Sequence, residues 1–262
     1  MVRILIVGDP HGKVKKVKEK KIDLVLITGD LGKADLARKF VFENARRRKE
    51  GLPELKKDEK YVKDIHTQIH NSTLEVLRYY NKIASVYTLQ GNVGIPSISD
   101  VKENKRKYGL KLPCTKKILD AMPNVYFVKN RLRNLNGLRV GFLEYFVDNC
   151  WIKEFGEKDK KRIRGGKKDT AKAKRVLDRF GSLDILVCHQ PPYGVLDKVG
   201  KIAPKHWRGK HAGSKVILEC IKKYQPRYVF CGHIHEGEGK KKIGKTEVYN
   251  LGVAKHILLD ID

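Results

Sequence analysis

Asp9, His11, Asp30, Asn92, His189, His233 and His235 lie in five short segments: GDPHG at 8–12, GDLG at 29–32, GNVG at 91–94, CHQPP at 188–192 and GHIHE at 232–236. Together they form a mixed donor set of carboxylate, amide oxygen and imidazole nitrogen. Such a set suits Mn, Fe, Zn or Ni better than a site of oxygens or thiolates alone. One shared carboxylate and six other ligands are enough to hold two divalent metal ions about 3.5–4 Å apart, the spacing of two-metal catalytic centres. Taken singly, each segment is weak. A lone Asp after a strand is often a helix cap, and a His before Pro-Pro can be a core residue bonded to backbone. GHIHE says more, because residues i and i+2 of an extended segment point to one side. Five segments in order, each delivering a ligand, are hard to obtain by accident.

Strand ends must position these groups. VRILIV at 2–7 and DLVLIT at 23–28 are continuous apolar runs of strand length, each followed by Gly-Asp. KVKKVKEKK, between them, reads as a polar helix, which makes a βαβ opening with buried parallel strands. Residues 36–82 read as a helical-hairpin insertion broken at Gly51–Pro53, its first helix ending in a basic turn. Further strands are expected at 86–89, 125–128, 138–143, 183–188, 228–231, 246–250 and 256–261. A helix is expected at 214–224, with Ser214 as its N-cap. Residues 153–179 predict an exposed basic loop followed by a helix. In open α/β sheets, functional groups gather at the carboxyl ends of strands. Asp9, Asp30, Asn92, His189 and His233 each follow a predicted strand within one to three residues. Because the ligands span residues 9 to 235, they cannot be divided between independent domains, and 1–262 reads as a single α/β domain.

The 262 residues are 40% hydrophobic, enough for a sizeable core, and no apolar run reaches the roughly 18 residues of a membrane span. The N-terminal segment reads as a core strand, not a signal peptide. Five cysteines without a CxxC pair fit buried thiols in a reducing cytoplasm. The formal charge is +27, from 57 basic against 30 acidic residues. It predicts attraction to polyanions, whether nucleotides, nucleic acid or phosphorylated substrates. Residues 38–63 carry ten bases against five acids, and 153–179 carry twelve against five. Beside the ligand edge both would form a phosphate-attracting rim.

The order D-x-H, G-D, G-N, H, G-H-x-H resembles that of the calcineurin-like metallophosphoesterases, over nearly the whole chain. The segment 188–252 is most similar to the branch that includes metallophosphoesterase-domain proteins acting on cyclic nucleotides. This resemblance implies a four-layer sandwich of two face-packed mixed β-sheets flanked by helices, with metals at one edge. It implies that Asp9, His11, Asp30 and His235 hold one metal and that Asp30, Asn92, His189 and His233 hold the other, with Asp30 as the bridge. It also implies hydrolysis of a phosphate ester by in-line attack of hydroxide, the cations neutralising the developing charge.

Two positions depart from the family pattern. Val93 and Gly94 stand where the family commonly has His followed by an acid, and Lys33 stands where a second Asp is common. Val93 cannot protonate a leaving oxygen. Alkyl monoesters suffer most from that loss and activated diesters least, so a phosphodiesterase is expected over a monoesterase. The stretch 198–215 has six bases and no acid. As a substrate loop it would use Arg208 and Lys210 on phosphate and Trp207 on a base. His211 would replace the missing acid, although a helix N-terminus lowers an imidazole's pKa. A nuclease with the same chemistry and an inactive scaffold are the alternatives.

Overall fold

The computed structural model describes residues 1–19 and 21–262. The two leading apolar runs form β1 (Val2–Val7) and β2 (Leu24–Ile27), paired in parallel with Ile4 opposite Leu24 and Val7 opposite Ile27. β3 (Ser85–Thr88) and β4 (Val125–Phe127) extend that sheet in parallel. β11 (His256–Ile261) closes its other side, antiparallel to β1. A second sheet contains β5 (Arg131–Leu135), β6 (Leu138–Leu143), β7 (Ile185–Cys188), β8 (Tyr228–Cys231), β9 (Gly239–Ile243) and β10 (Thr246–Asn250), in the order β5-β6-β7-β8-β10-β9. Its four middle strands run parallel, and its two edge strands are antiparallel to their neighbours.

Period-2 alternation sends each strand's side chains to two different cores. Ile4, Ile6, Leu24 and Leu26 meet Val140, Phe142, Ile185, Val187 and Phe230 between the sheets. Leu5, Val7, Val25 and Ile27 face outward, under the second helix of the hairpin. That hairpin is α1 (Asp35–Glu50) and α2 (Glu59–Asn81). α1 ends at Gly51, whose φ of 70° is left-handed, a conformation open to glycine without strain. Asp58 caps α2 by accepting from Tyr61 N. Leu74, Leu77 and Tyr80 of α2 join the outer core of the five-stranded sheet, so this half of the expected insertion is one of the four layers. Opposite it, α6 (Lys160–Phe180) and α7 (Lys215–Tyr224) cover the six-stranded sheet through Val176, Leu177, Phe180, Ile217 and Ile221. Ser214 caps α7 as expected, accepting from Ile217 N. The layers run helix, sheet, sheet, helix. Among the described residues no helix is long and apolar enough to cross a membrane.

Three differences from the sequence reading have physical causes. Residues 13–19 and 21 form no helix, and Lys20 lies outside the described residues. So short a run does not repay helix nucleation, and it carries like charges three residues apart, Lys13 with Lys16 and Lys15 with Lys18. Val14 and Val17 instead lie against the outer core, with Val17 N donating to the Tyr79 hydroxyl. The basic region 153–179 is mostly helix: α5 (Asn149–Glu154) ends inside it and α6 starts at Lys160, leaving a loop of only five residues. Asp159 starts α6 by accepting from Lys161 N and Arg162 N. α3 (Ile98–Tyr108) and α4 (Thr115–Asp120) were not expected. α3 buries none of its residues and is set by the Ser97–Asp100 capping box.

Candidate metal centre

All five segments converge at the carboxyl ends of β1, β2, β3, β7 and β8. Asp9 follows β1 and is fully buried. Its Oδ1 accepts from Thr28 Oγ1 at 2.7 Å, and its Oδ2 accepts from His233 N at 2.6 Å. Asp30 follows β2, and its Oδ1 accepts from Val93 N at 2.7 Å. The Asp30 Oδ2 lies 3.6 Å from His11 Nε2 and 3.7 Å from His189 Nε2, between the two halves of the cluster. His189 Nδ1 is 3.1 Å from the Thr28 carbonyl and 3.6 Å from Asp9 Oδ1. Asn92 Oδ1 touches His189 Nε2 at 2.8 Å and His233 Nδ1 at 2.7 Å. His235 Nε2 lies 3.5 Å from Asp9 Oδ2 and 3.1 Å from His11 Nε2.

Two trios of donor atoms come within 4.8 Å of one another, Asp9 with His11 and His235, and Asp9 with Asp30 and His189. Their chemistry fits divalent cations. His189 that donates Nδ1–H to Thr28 O turns the lone pair of Nε2 toward Asn92 Oδ1. Acceptor then faces acceptor, and a cation is the partner that satisfies both. Burial holds the His11 imidazole below its ordinary pKa despite Asp30 and Asp9 beside it, and crowding out of water pushes His233 far lower. Neutral imidazoles are the form that ligates metal. Burial acts to raise the Asp9 carboxyl, but His189, His235 and His11 outweigh it and hold the group well below the usual carboxylate range.

Local backbone makes this closeness possible. His11, Asp30 and His233 have φ of 46°, 38° and 63°. Such left-handed residues cost about 1–3 kcal/mol each and cluster at functional sites. A Cβ on Gly91 would run into the Asp30 carboxylate, and one on Gly232 into the Asp9 carboxylate. Glycine is required there for close approach.

The residues expected from the basic loop are arranged otherwise. His211 Nδ1 bonds Asp197 Oδ1 at 2.7 Å, and its ring packs on Tyr193 at 5.0 Å. Arg208 Nε donates to Ala203 O, and Lys210 Nζ donates to Glu154 O and sits 5.5 Å over the Phe155 ring. None of these three lines the cavity beside the metal centre, whereas Trp207 does. Lys33 faces Asp35 at 3.6 Å.

Sequence reasoning missed three residues at the site. Tyr145 packs on His189 at 5.8 Å and on His233 at 5.4 Å, and burial pushes its phenol up to about 12. It comes two residues after β6, so the strand-end rule that found the ligands applies to it too. Thr28 orients Asp9 and His189 from the last position before Gly29-Asp30. Arg38 Nη2 stands 3.4 Å from His11 Nε2, and nothing in the helical pattern of α1 marks it.

Comparison with known proteins agrees with this geometry. A family model described as calcineurin-like phosphoesterase matches residues 2–237. UPF0046 protein K07C11.7 of Caenorhabditis elegans is 33% identical over 67 residues, 26% of this chain and 20% of that protein. Uncharacterized protein MJ1162 of Methanocaldococcus jannaschii is 34% identical over 77 residues, 29% of this chain and 34% of that protein. The matched stretches thus span only a fifth to a third of those relatives. One solved crystal structure shares the fold with a TM-score of 0.58 at 16% identity, covering 99% of both chains.

Proposed function

The chain belongs to the calcineurin-like phosphoesterases, and from that premise we propose that it is a dinuclear metal-dependent phosphodiesterase. Asp9, His11, Asp30 and His235 would hold one divalent ion, and Asp30, Asn92, His189 and His233 the other. Bound there, two such ions polarise phosphoryl oxygens and lower the pKa of water toward neutrality. The observation that carries this reading is the meeting of donors from five strand ends, with Asp9 and His235 lying 226 residues apart (235 − 9), on one pair of carboxylates.

The chain's own groups do the rest. Thr28 Oγ1 and His233 N fix both oxygens of Asp9, and Val93 N fixes one oxygen of Asp30, leaving the other between the halves. Arg38 offers a guanidinium beside His11, suited to a non-bridging phosphate oxygen. Val93 contributes a backbone donor and an apolar side chain, so the position that serves relatives as an acid has no proton to give. His211 pairs its Nδ1 with Asp197 Oδ1 and lies outside the cavity lining, so a role as substitute acid would fall to its Nε2. An ester whose leaving group departs without protonation suits this site, and activated diesters are that class. Both sheets contribute ligands, which makes 1–262 one functional unit. Five free cysteines favour a reducing, cytoplasmic setting.

The test is a metal-reconstituted screen of manganese-loaded protein against bis(p-nitrophenyl) phosphate, p-nitrophenyl phosphate, cyclic nucleotides and RNA at two salt concentrations. Diester hydrolysis above monoester hydrolysis is expected. RNA cleavage with steep salt dependence would make the enzyme a nuclease. No hydrolysis of any substrate would make it a scaffold.

A further inference from the structure

A cavity of about 330 Å³ opens beside the metal centre, with Asp30, Asn92, His233 and His235 at its inner end. This is within the size range of small-molecule sites, roughly 300–1,000 Å³. Its outer walls are Val41, Phe42, Trp151, Phe155, Ile202 and Trp207. Trp207 takes the edges of Phe42 at 6.0 Å and Phe155 at 5.6 Å, and Trp151 stacks on Phe155 at 5.1 Å. These aromatics come from α1, α5 and the turn at Lys205–Trp207, and all are only half-buried. Val41 and Ile202 on the rim are 51% and 68% exposed. Large apolar side chains left open around a reactive centre mark a binding surface.

Charge decides what fits. The chain has 57 lysines and arginines, yet among the described residues Arg38 is the one that lines this cavity. A polynucleotide needs a row of cations along its backbone, and this cleft offers one, at the end where the phosphate would sit. We infer that the cavity holds an uncharged apolar group about the size of an aromatic ring, carried on the phosphate ester, with Arg38 on the phosphate oxygens. This inference rests on the phosphoesterase reading, because the metal centre supplies the phosphate end.

Both tryptophans of the chain line the cavity, so intrinsic fluorescence reports its occupancy independently of turnover. Manganese-loaded protein is titrated with methylphosphonate and with benzylphosphonate, whose P–C bonds resist hydrolysis, by calorimetry and by tryptophan emission. A benzyl group is a phenylalanine side chain, whose full burial corresponds to roughly ten- to a hundredfold in affinity. Benzylphosphonate is expected to bind tighter by that factor and to change the emission, with methylphosphonate changing it little. In the double variant Val41→Asn, Ile202→Asn, both sites being exposed, the benzyl preference is expected to fall roughly fivefold, with methylphosphonate affinity unchanged. Equal affinity for the two phosphonates, or a preference indifferent to the double variant, overturns the apolar site. Bis(p-nitrophenyl) phosphate is run in parallel. Hydrolysis without a benzyl preference defeats only the apolar site. A benzyl preference without hydrolysis supports the apolar site and defeats the phosphodiesterase reading. Binding of neither phosphonate together with no hydrolysis of the diester defeats both.

Discussion

The five-stranded and six-stranded sheets meet at the candidate metal centre with different chemistry. β1, β2 and β3 of the first end in oxygen donors, Asp9, Asp30 and Asn92, together with His11 in the loop after β1. β7 and β8 of the second end only in imidazoles, His189, His233 and His235. The oxygen side is clamped by short hydrogen bonds from Thr28, Val93 and His233, whereas on the nitrogen side His189 Nδ1 meets the Thr28 carbonyl and the His189 and His233 rings pack against Tyr145. Neither sheet alone offers a complete set of hard and borderline ligands. The mixed donor cluster exists because the two sheets dock, and the contacts of Asp30 with His189 and of Asp9 with His235 cross between them.

Each side can be broken separately. Asp30→Asn removes the charge that serves both halves, and is expected to lower diester turnover by about 10³-fold, equivalent to several kcal/mol of transition-state stabilisation. Metal analysis of the purified variant should show loss of both ions, and near-normal turnover would refute the bridge. His11→Ala and His189→Ala strike opposite groups and are each expected to cost roughly 10²-fold. Each should retain about one metal per chain by elemental analysis, against two in the parent protein. Gly232→Ala drives a methyl into the Asp9 carboxylate, an overpacking that costs about 1–3 kcal/mol. Its urea midpoint should fall and its manganese affinity weaken, whereas Gly94→Ala, where a Cβ meets open space, should change neither. Val93→His adds an acid on the oxygen side. It is expected to raise the monoester-to-diester ratio by about tenfold, the low end of what a positioned acid contributes. An unchanged ratio would mean that position 93 does not face the leaving group.

The ligand-bearing strands were legible because buried parallel strands read as unbroken apolar runs, and β1, β2, β7 and β8 are such runs. The edge strands of the six-stranded sheet leave no such mark. β9, GKKKI, is nearly all exposed and holds its place by backbone pairing with β10. α3 has no buried stripe for periodicity to reveal. The apolar cavity was hidden for another reason, since its aromatics come from three segments, each unremarkable alone. Counting charges in 198–215 suggested phosphate contacts at Arg208 and Lys210, whereas the fold pairs Arg208 Nε and Lys210 Nζ with backbone carbonyls and leaves both residues outside the cavity lining. A composition count cannot distinguish a cation that reaches a ligand from one that closes a loop. The helix expected at 13–21 was likewise read from polarity, whereas Val14 and Val17 lie against the outer core.

Placing the donors on both sheets also has a kinetic consequence. The seven donors sit on two sheets, so a cation finds its full ligand set only once the sheets have docked. The complete centre is then expected to form late in refolding. Refolding in the presence of cobalt, followed by visible absorption, should show the coloured centre emerging with the slowest phase, after backbone circular dichroism has reached its final value.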